Sequence, residues 1–328
     1  MQEGKFPVVT QESEKFISGY TNEENCVTDL PLIVFGDHSC TFKYVDFPFV
    51  RGADGTQLLK TNQKEILTKF LYFYLQTIHI YNSEKYERHF KYLRTMNIPL
   101  PPLEVQKSVV AECEKLDFEC ENAKNEIENC KNQIEEIMAN VQGEKKRLGE
   151  IALYATKRIA YSEIRAEDYV STDNMLQKCE GVKIYDGVPN IESVIEYQKD
   201  DILVSNIRPY LRKIWLSDRS GGCSPDVLVF RNSDQKKLDS KFLYLSLCRD
   251  SFFDFMMSGR KGIKMPRGDK NTIPNFFVSV PPISEQKKIV AKISELEQKI
   301  SAAKAVIAAC PERKSAVLKS WLEQAVFQ

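Results

Sequence analysis

A chain that repeats its own sequence once, across a long interval, can only fold as two copies of one unit. In this chain of 328 residues the segment IPLPPLEVQKSVVAECEKLD, starting at Ile98, aligns with VSVPPISEQKKIVAKISELE, starting at Val278. Pro101 and Pro281 stand 180 residues apart, and Gln106, Lys107, Val110 and Ala111 meet Gln286, Lys287, Val290 and Ala291. Upstream the match continues with gaps: Lys69-Phe70-Leu71-Tyr72 pairs with Lys241-Phe242-Leu243-Tyr244, and Lys43, Gly52 and Leu58 fall opposite Lys213, Gly222 and Leu228. A period this long means duplicated domains and not a solenoid.

Each copy ends in a helix with a heptad seam. The paired prolines force an extended start, and no glycine interrupts the first helix before Gly143. In the first helix Val109, Cys113, Leu116, Cys120, Ala123, Ile127, Cys130, Ile134, Ile137 and Val141 lie on alternating steps of four and three, and in the second Ile289, Ile293, Leu296, Ile300, Ala303, Ile307 and Cys310 repeat them. A helix from Leu103 to Gly143 would be roughly 60 Å long. A seam of that length needs another helix to cover it, and the other copy supplies one. Pro311 is expected to kink or restart the second helix.

The segments between read as mixed and mainly β. Leu32-Ile33-Val34-Phe35, Ile202-Leu203-Val204 and Val227-Leu228-Val229-Phe230 are short β-rich runs bounded by turn residues. Phe70 to Ile80 and Phe242 to Met257 have helical spacing. The expected fold class is α+β: two similar globular domains joined by two long helices in an antiparallel coiled coil, with pseudo-twofold symmetry. The boundaries fall at 1–99, 100–146, 147–280 and 281–328.

Composition narrows the function. Lys plus Arg equals Asp plus Glu at 46 each, which excludes a protein that coats nucleic acid by bulk charge but permits local basic faces. No apolar run is long enough to span a bilayer and the start lacks a signal-peptide core, so a cytoplasmic protein without a membrane partner is expected. Nine cysteines, an odd number, read as reduced thiols, with those in the seam as small core residues. None forms a CxxC pair, and His38, His79 and His89 are not spaced as metal ligands, so no metal is expected.

A globular domain, then Pro99-Leu100-Pro101-Pro102-Leu103 with Gln106-Lys107 and a heptad helix, then the same again, resembles the specificity subunits of type I restriction-modification systems. Leu148-Gly149-Glu150-Ile151 is similar to the opening of a target recognition domain in that family. Ile202 to Phe230, and Ile33 to Leu59 with Gly36-Asp37-His38 and Gly52-Ala53-Asp54-Gly55, are similar to its middle. The resemblance implies that each domain reads half of a split double-stranded DNA target. It also implies that the helices act as spacer and docking site for two methyltransferase subunits, with a restriction subunit in the full complex. No cofactor is expected on this chain, S-adenosylmethionine belonging to the partner methyltransferase. About 50 residues separate Leu148 from Ile202 in the second copy, whereas Leu32 follows soon after Met1 in the first, which is therefore expected to lack its opening strand. The chain then reads as a fragment, a shortened variant or the tail of a fused methyltransferase-specificity protein.

Candidate DNA contacts follow from clustered cations. In the second domain the glycine-rich stretch from Gly259 carries Arg260, Lys261, Lys264, Arg267 and Lys270, suited to phosphates or guanine edges. Asn206, Arg208, Arg212 and Lys213 follow a buried-type strand and include the side chains that pair with adenine and guanine. An alternative gives Asn206 a turn and Arg208 a carboxylate. In the first domain Asp37, His38 and Lys43 occupy the matching place, and Arg88, Lys91 and Arg94 precede the proline joint.

No catalytic set is expected. The chain has no cofactor-binding glycine loop and no Asn/Asp-Pro-Pro-aromatic motif of an adenine methyltransferase. Pro225-Asp226 followed by Asp234-Gln235-Lys236 only superficially resembles a metal nuclease, and Asp37-His38-Ser39 are neighbours in sequence, which rarely makes a triad. The competing class is a coiled-coil scaffold whose globular domains bind protein and not DNA.

Overall fold

The structure, a computed structural model, describes residues 3–52, 55–78, 88–187, 191–260, 262 and 264–326. It divides into two compact units: Met1–Glu126 with Ala302–Gln328, and Ile127–Ser301. Each unit gathers one globular domain and one end of both long helices, so compactness cuts across the consecutive boundaries drawn from the repeat.

In the first unit the strands are β1 (Phe6–Val9), β2 (Gly19–Thr21), β3 (Cys26–Val27), β4 (Leu32–Gly36), β5 (Phe42–Val45), β6 (Phe49–Arg51) and β7 (Thr56–Leu59). They are followed by the helices α1 (Thr68–Gln76), α2 (Phe90–Leu93) and α3 (Leu103–Ala139). Helix α1 is shorter than the run to Ile80 suggested, and His79 and Ile80 lie outside the described residues. The second unit contains β8 (Glu144–Arg147), α4 (Leu148–Ile151), β9 (Ala152–Tyr154), β10 (Arg158–Ala160), β11 (Tyr169–Val170), β12 (Ser193–Tyr197), β13 (Ile202–Ser205), β14 (Ile214–Leu216), β15 (Gly221–Cys223) and β16 (Val227–Asn232). Then come α5 (Ser240–Leu247), α6 (Asp250–Ser258), β17 (Phe277–Val280) and α7 (Ile283–Val326).

The two domains share a strand plan. Strand β4, buried on both faces, is flanked by β5 and β7, as β13 is flanked by β14 and β16, all antiparallel. In the second sheet β6 has a parallel neighbour, β1, and an antiparallel one, β3; β15 has β11 and β12 in the same relations. The copies differ at an edge. Strand β9 adds to β16, and among the described residues no strand adds to β7.

The run read as one helix from Phe242 to Met257 is two. Arg249 is extended (φ −73°, ψ 150°), and the carbonyl of Cys248, which would otherwise continue the helix, accepts from Arg212 Nη2 at 2.7 Å. Helix α7 runs through Pro311 without restarting, which leaves a kink as the remaining sequence expectation there. Proline removes one intrahelical hydrogen bond, and here Cys310, Val317 and Leu318 remain packed on either side of it.

The seam forms as the heptads require. In the first unit Cys310 lies against Leu116 and Cys120, Arg313 pairs with Glu119 at 2.7 Å, Lys314 pairs with Asp117, and Trp321 Nε1 donates to Glu112 at 3.1 Å. Positions fall on α7 as they rise on α3, so the pair is antiparallel. In the second unit Ile134 and Ile137 share a core with Ile289 and Ile293. Val109, Cys113, Leu116, Cys120, Ile293 and Leu296 are buried, while Ile127, Ile134, Ile289, Ile300 and Ile307 are half-buried, as in a pair with one open side.

What joins helix to domain is a buried glutamine, once per unit. Gln106 Oε1 accepts from Leu67 N at 2.8 Å, and its Nε2 donates to the carbonyls of Glu65 and Pro101, both at 2.8 Å. Gln286 Oε1 accepts from Asp239 N at 2.8 Å, and its Nε2 donates to Lys237 at 2.9 Å and Pro281 at 2.7 Å. Both side chains are fully buried. In the second unit β17 also pairs with β8, holding the domain's two ends together, and Gly143 is required there because a Cβ would lie 2.5 Å from the Pro281 nitrogen. Replacing Gln106 or Gln286 with Leu orphans one buried N–H and two carbonyls, at about 1–3 kcal/mol for each uncompensated group. A fall in the urea midpoint is expected for either variant, and unchanged midpoints would show that the clamp is dispensable.

Candidate nucleic-acid interface

In the second unit two loops zip together at the end of β13. Ile207 bridges antiparallel to Arg267, Arg208 N donates to the Pro266 carbonyl at 2.8 Å, and Gly268 N donates to Asn206 O at 3.3 Å. A side chain on Gly268 would crowd Asn206 Oδ1, Ile273 and Met256, each about 3.0–3.1 Å from its Cβ, so glycine permits the approach. The pairing carries Arg208 and Arg267, both exposed, side by side on the two bridged loops, which form a short ribbon. Exposed Lys264 and Lys270 extend the same loop, and exposed Arg260 stands at its start, donating to the Met257 carbonyl. Lys261 lies outside the described residues.

Arg208 is held in the left-handed region (φ 50°, ψ 63°), uncommon for a side-chain-bearing residue and costing on the order of 1 kcal/mol. Arg267 reaches Asp226 at 3.5 Å and Lys270 donates to the Pro225 carbonyl at 3.2 Å, contacts that leave both heads largely in solvent. A cavity of about 390 Å³ opens between Asn206, Met265, Arg267 and Lys270. Two large side chains, Tyr210 (53% exposed) and Met265 (49%), stand among these cations. They were not singled out from the sequence, where nothing separated them from core residues.

Other expected contacts are spent inside the fold. Lys43 is buried and its Nζ donates to the carbonyls of Thr10, Lys15 and Phe16 at 3.0, 2.6 and 3.3 Å. Lys213, its counterpart, donates to the Thr172 carbonyl at 2.5 Å. Burial pulls both ammonium pKa values down. The matched lysines thus brace a loop in each copy; all three donors of Lys43 are spent on carbonyls, whereas half-buried Lys213 spends one. Arg212 is committed to the Cys248 carbonyl and to Asp250 at 2.6 Å. Asn206 is 3% exposed, with Oδ1 buried and unpartnered, and reaches the cavity only from beneath Gly268. The suggested nuclease set is split: Asp226 and Asp234 flank β16, roughly 20 Å long.

In the first unit Asp37 is also structural. Its Oδ1 accepts from Phe90 N at 2.7 Å, and its carbonyl accepts from His89 N at 3.1 Å and lies 2.9 Å from His89 Nδ1. His38 is half-buried, its N–H donating to Gln11 Oε1. Asp37 thus anchors the start of α2, on or beside which Arg88, Lys91 and Arg94 are exposed. The parallel with the second unit is direct. In each copy a late basic segment hydrogen-bonds to the carbonyl of the residue just after the central strand, Asp37 in one and Asn206 in the other. Ala53 and Asp54 of the resemblance motif, and Tyr86 and Glu87, lie outside the described residues.

With this geometry in place, the chain can be set beside known proteins. Residues 1–131 and 140–309 match the family described as the type I restriction modification DNA specificity domain, and the chain belongs to that family. It is 28% identical over 111 residues to the type I restriction enzyme EcoDI specificity subunit of Escherichia coli; the match covers 34% of this chain and 24% of that subunit's length. The fold is similar to a crystal structure of a type I restriction-modification S subunit from M. genitalium, with a TM-score of 0.59, 17% identity, and coverage of 98% of this chain and 89% of that one. A chain from a structure on complex assembly and conformational transition of the type I system gives a TM-score of 0.56 at 16% identity, covering 98% and 90%. Among the described residues no helix is long and apolar enough to cross a membrane, and no group of His, Cys, Asp and Glu is arranged to hold a metal ion.

The buried lysines give a stability test that separates bracing from binding. Lys43→Met leaves three loop carbonyls without their donor, and Lys213→Met leaves one. Losses of about 1–3 kcal/mol are expected for Lys43→Met and less for Lys213→Met. Thermal unfolding of both variants measures this, and wild-type stability in Lys43→Met would return that residue to the list of free surface cations.

Proposed function

We propose that the chain is the DNA-sequence-reading component of a type I restriction-modification system, each unit reading one half of a split target. The observation that carries this reading is the repeated placement of exposed cations. Arg88, Lys91 and Arg94 in one copy, and Arg208, Lys264, Arg267 and Lys270 in the other, ride on segments docked at the end of the central strand. Phosphate neutralisation by such residues positions a duplex, and arginine with its planar fork reads guanine edges. Net neutrality of the chain is compatible with this, because steering depends on the local field and not on total charge.

The chain itself carries out no chemistry in this reading. The coiled-coil faces left open by the antiparallel pair dock two methyltransferase subunits, which bring S-adenosylmethionine, and a restriction subunit joins the full cytoplasmic complex. The assembled particle would methylate adenine and cleave DNA. Half-sites about one helical turn apart, roughly 34 Å, would bring both recognition domains to one side of the duplex.

Two measurements test this. The triple variant Arg208→Ala, Lys264→Ala, Arg267→Ala should bind DNA more weakly and lower the slope of log K against log salt by about one unit per lost phosphate contact. Unchanged affinity and slope would favour a protein-binding scaffold. In the second, the isolated chain should transfer no methyl group, whereas addition of a cognate methyltransferase subunit should give site-specific adenine methylation detectable by sequencing. Methyl transfer by the chain alone, or a methyltransferase whose sites do not depend on it, would contradict the proposal.

A further inference from the structure

The break between α5 and α6 gathers groups that recognition of DNA does not use. Cys179, in a loop where Lys178 and Cys179 are both left-handed (φ 56° and 61°), directs its Sγ to the Cys248 carbonyl at 3.7 Å. That carbonyl is the one Arg212 Nη2 holds at 2.7 Å. The loop is pinned by two backbone hydrogen bonds, Lys178 N to the Leu211 carbonyl at 3.0 Å and Cys179 N to the Arg212 carbonyl at 2.8 Å. Two thiols, a guanidinium and the end of a helix therefore share one site, beside an open cavity lined by Cys179, Gly181, Trp215 and Tyr244.

Electrostatics distinguish Cys179 from four of the chain's other thiols. Burial pushes Cys113 and Cys310 up to about 11, Cys223 up to about 12, and Cys40 upward as well. Cys179 moves the other way: the hydrogen bond from the Cys248 thiol and the charge of Arg212 outweigh its own burial. Cys248 is pushed well above its ordinary value, first by burial and then by the neighbouring Cys179 thiol. Arg212 Nε is buried with no hydrogen-bond partner, a donor that a thiolate on Cys179 would satisfy electrostatically. Thiolate fraction and access set the rate of attack on disulfides and peroxides.

We propose that Cys179 is the reactive thiol of this protein and that Cys248 is its resolving partner, together forming a site for disulfide-class oxidants. The Cys179 thiolate attacks one sulfur of a small disulfide, breaking its S–S bond, releasing one thiolate and leaving a mixed disulfide on Cys179. Cys248, losing its proton, then attacks Cys179 Sγ and expels the second thiolate. Both protein thiols are oxidised, the reagent is reduced to two thiols, and the two protein protons go to the leaving thiolates. The product links the 176–182 loop to the α5–α6 junction. This inference stands apart from the reading of DNA and can fail without it.

The test uses the reduced, full-length chain with one equivalent of oxidised glutathione, followed by alkylation of the remaining thiols and peptide mapping by mass spectrometry. A Cys179–Cys248 cross-link is expected as the main product, with two glutathione molecules released per chain. In Cys248→Ser the reaction should stop at a glutathione adduct on Cys179, and Cys179→Ser should lose the rapid reaction. First modification at another thiol, or an unresolved adduct on Cys179 in the native chain, would overturn the proposal. The native-chain mapping decides the matter even if a variant folds poorly.

Discussion

The architecture depends on one buried side chain used twice. A helix that ran freely out of a globular domain would leave the domain's orientation on it to a flexible joint. Gln106 and Gln286 remove that freedom, each accepting one backbone N–H and donating to two carbonyls in the loop that leads into the first helix after the strands and in the proline joint. Because the amide is buried, water cannot substitute for these partners, and a missing contact costs far more than a surface hydrogen bond is worth. Below the clamp the same apolar positions recur: Phe70 with Val109 and Cys113 in one unit, Phe242 with Ile293 in the other.

Much of this was legible in the sequence because duplication repeats whatever the fold requires. The Pro-Pro joint, Gln106 with Gln286 and the heptad positions are each imposed by geometry, so they stand out when the copies are aligned. The same repetition has a structural cause at Lys43 and Lys213. A repeated lysine looks like a repeated DNA contact, yet both hold loop carbonyls from within. Repetition marks what every copy needs, which is first of all folding. Residues that read different half-sites need not repeat, and the exposed cations of the two segments indeed do not align.

Other features had no local signal. Helical periodicity from Phe242 to Met257 is continuous in sequence, and the break after Cys248 arises from Arg212, a residue 36 positions earlier, taking the helix carbonyl. Pro311 has the opposite history: a residue that normally interrupts a helix is carried through by the packing of Cys310 and Leu318 on its flanks. The zipper between residues 206–208 and 266–268 brings two separately noted cation clusters together, and only the fold could show that they form one ribbon. In each case a tertiary partner decided what local propensity left open.

The central claim is that two similar domains present separate basic segments, each responsible for its own part of a split DNA sequence. Selection of bound sequences from a randomised duplex library, using the chain with its methyltransferase partner, tests it most directly. The account predicts two short preferred blocks separated by a spacer of fixed length and indifferent sequence, with substitutions in the Arg208–Arg267 ribbon erasing preference in one block while sparing the other. A single uninterrupted block, or loss of both blocks together while overall binding persists, would contradict it.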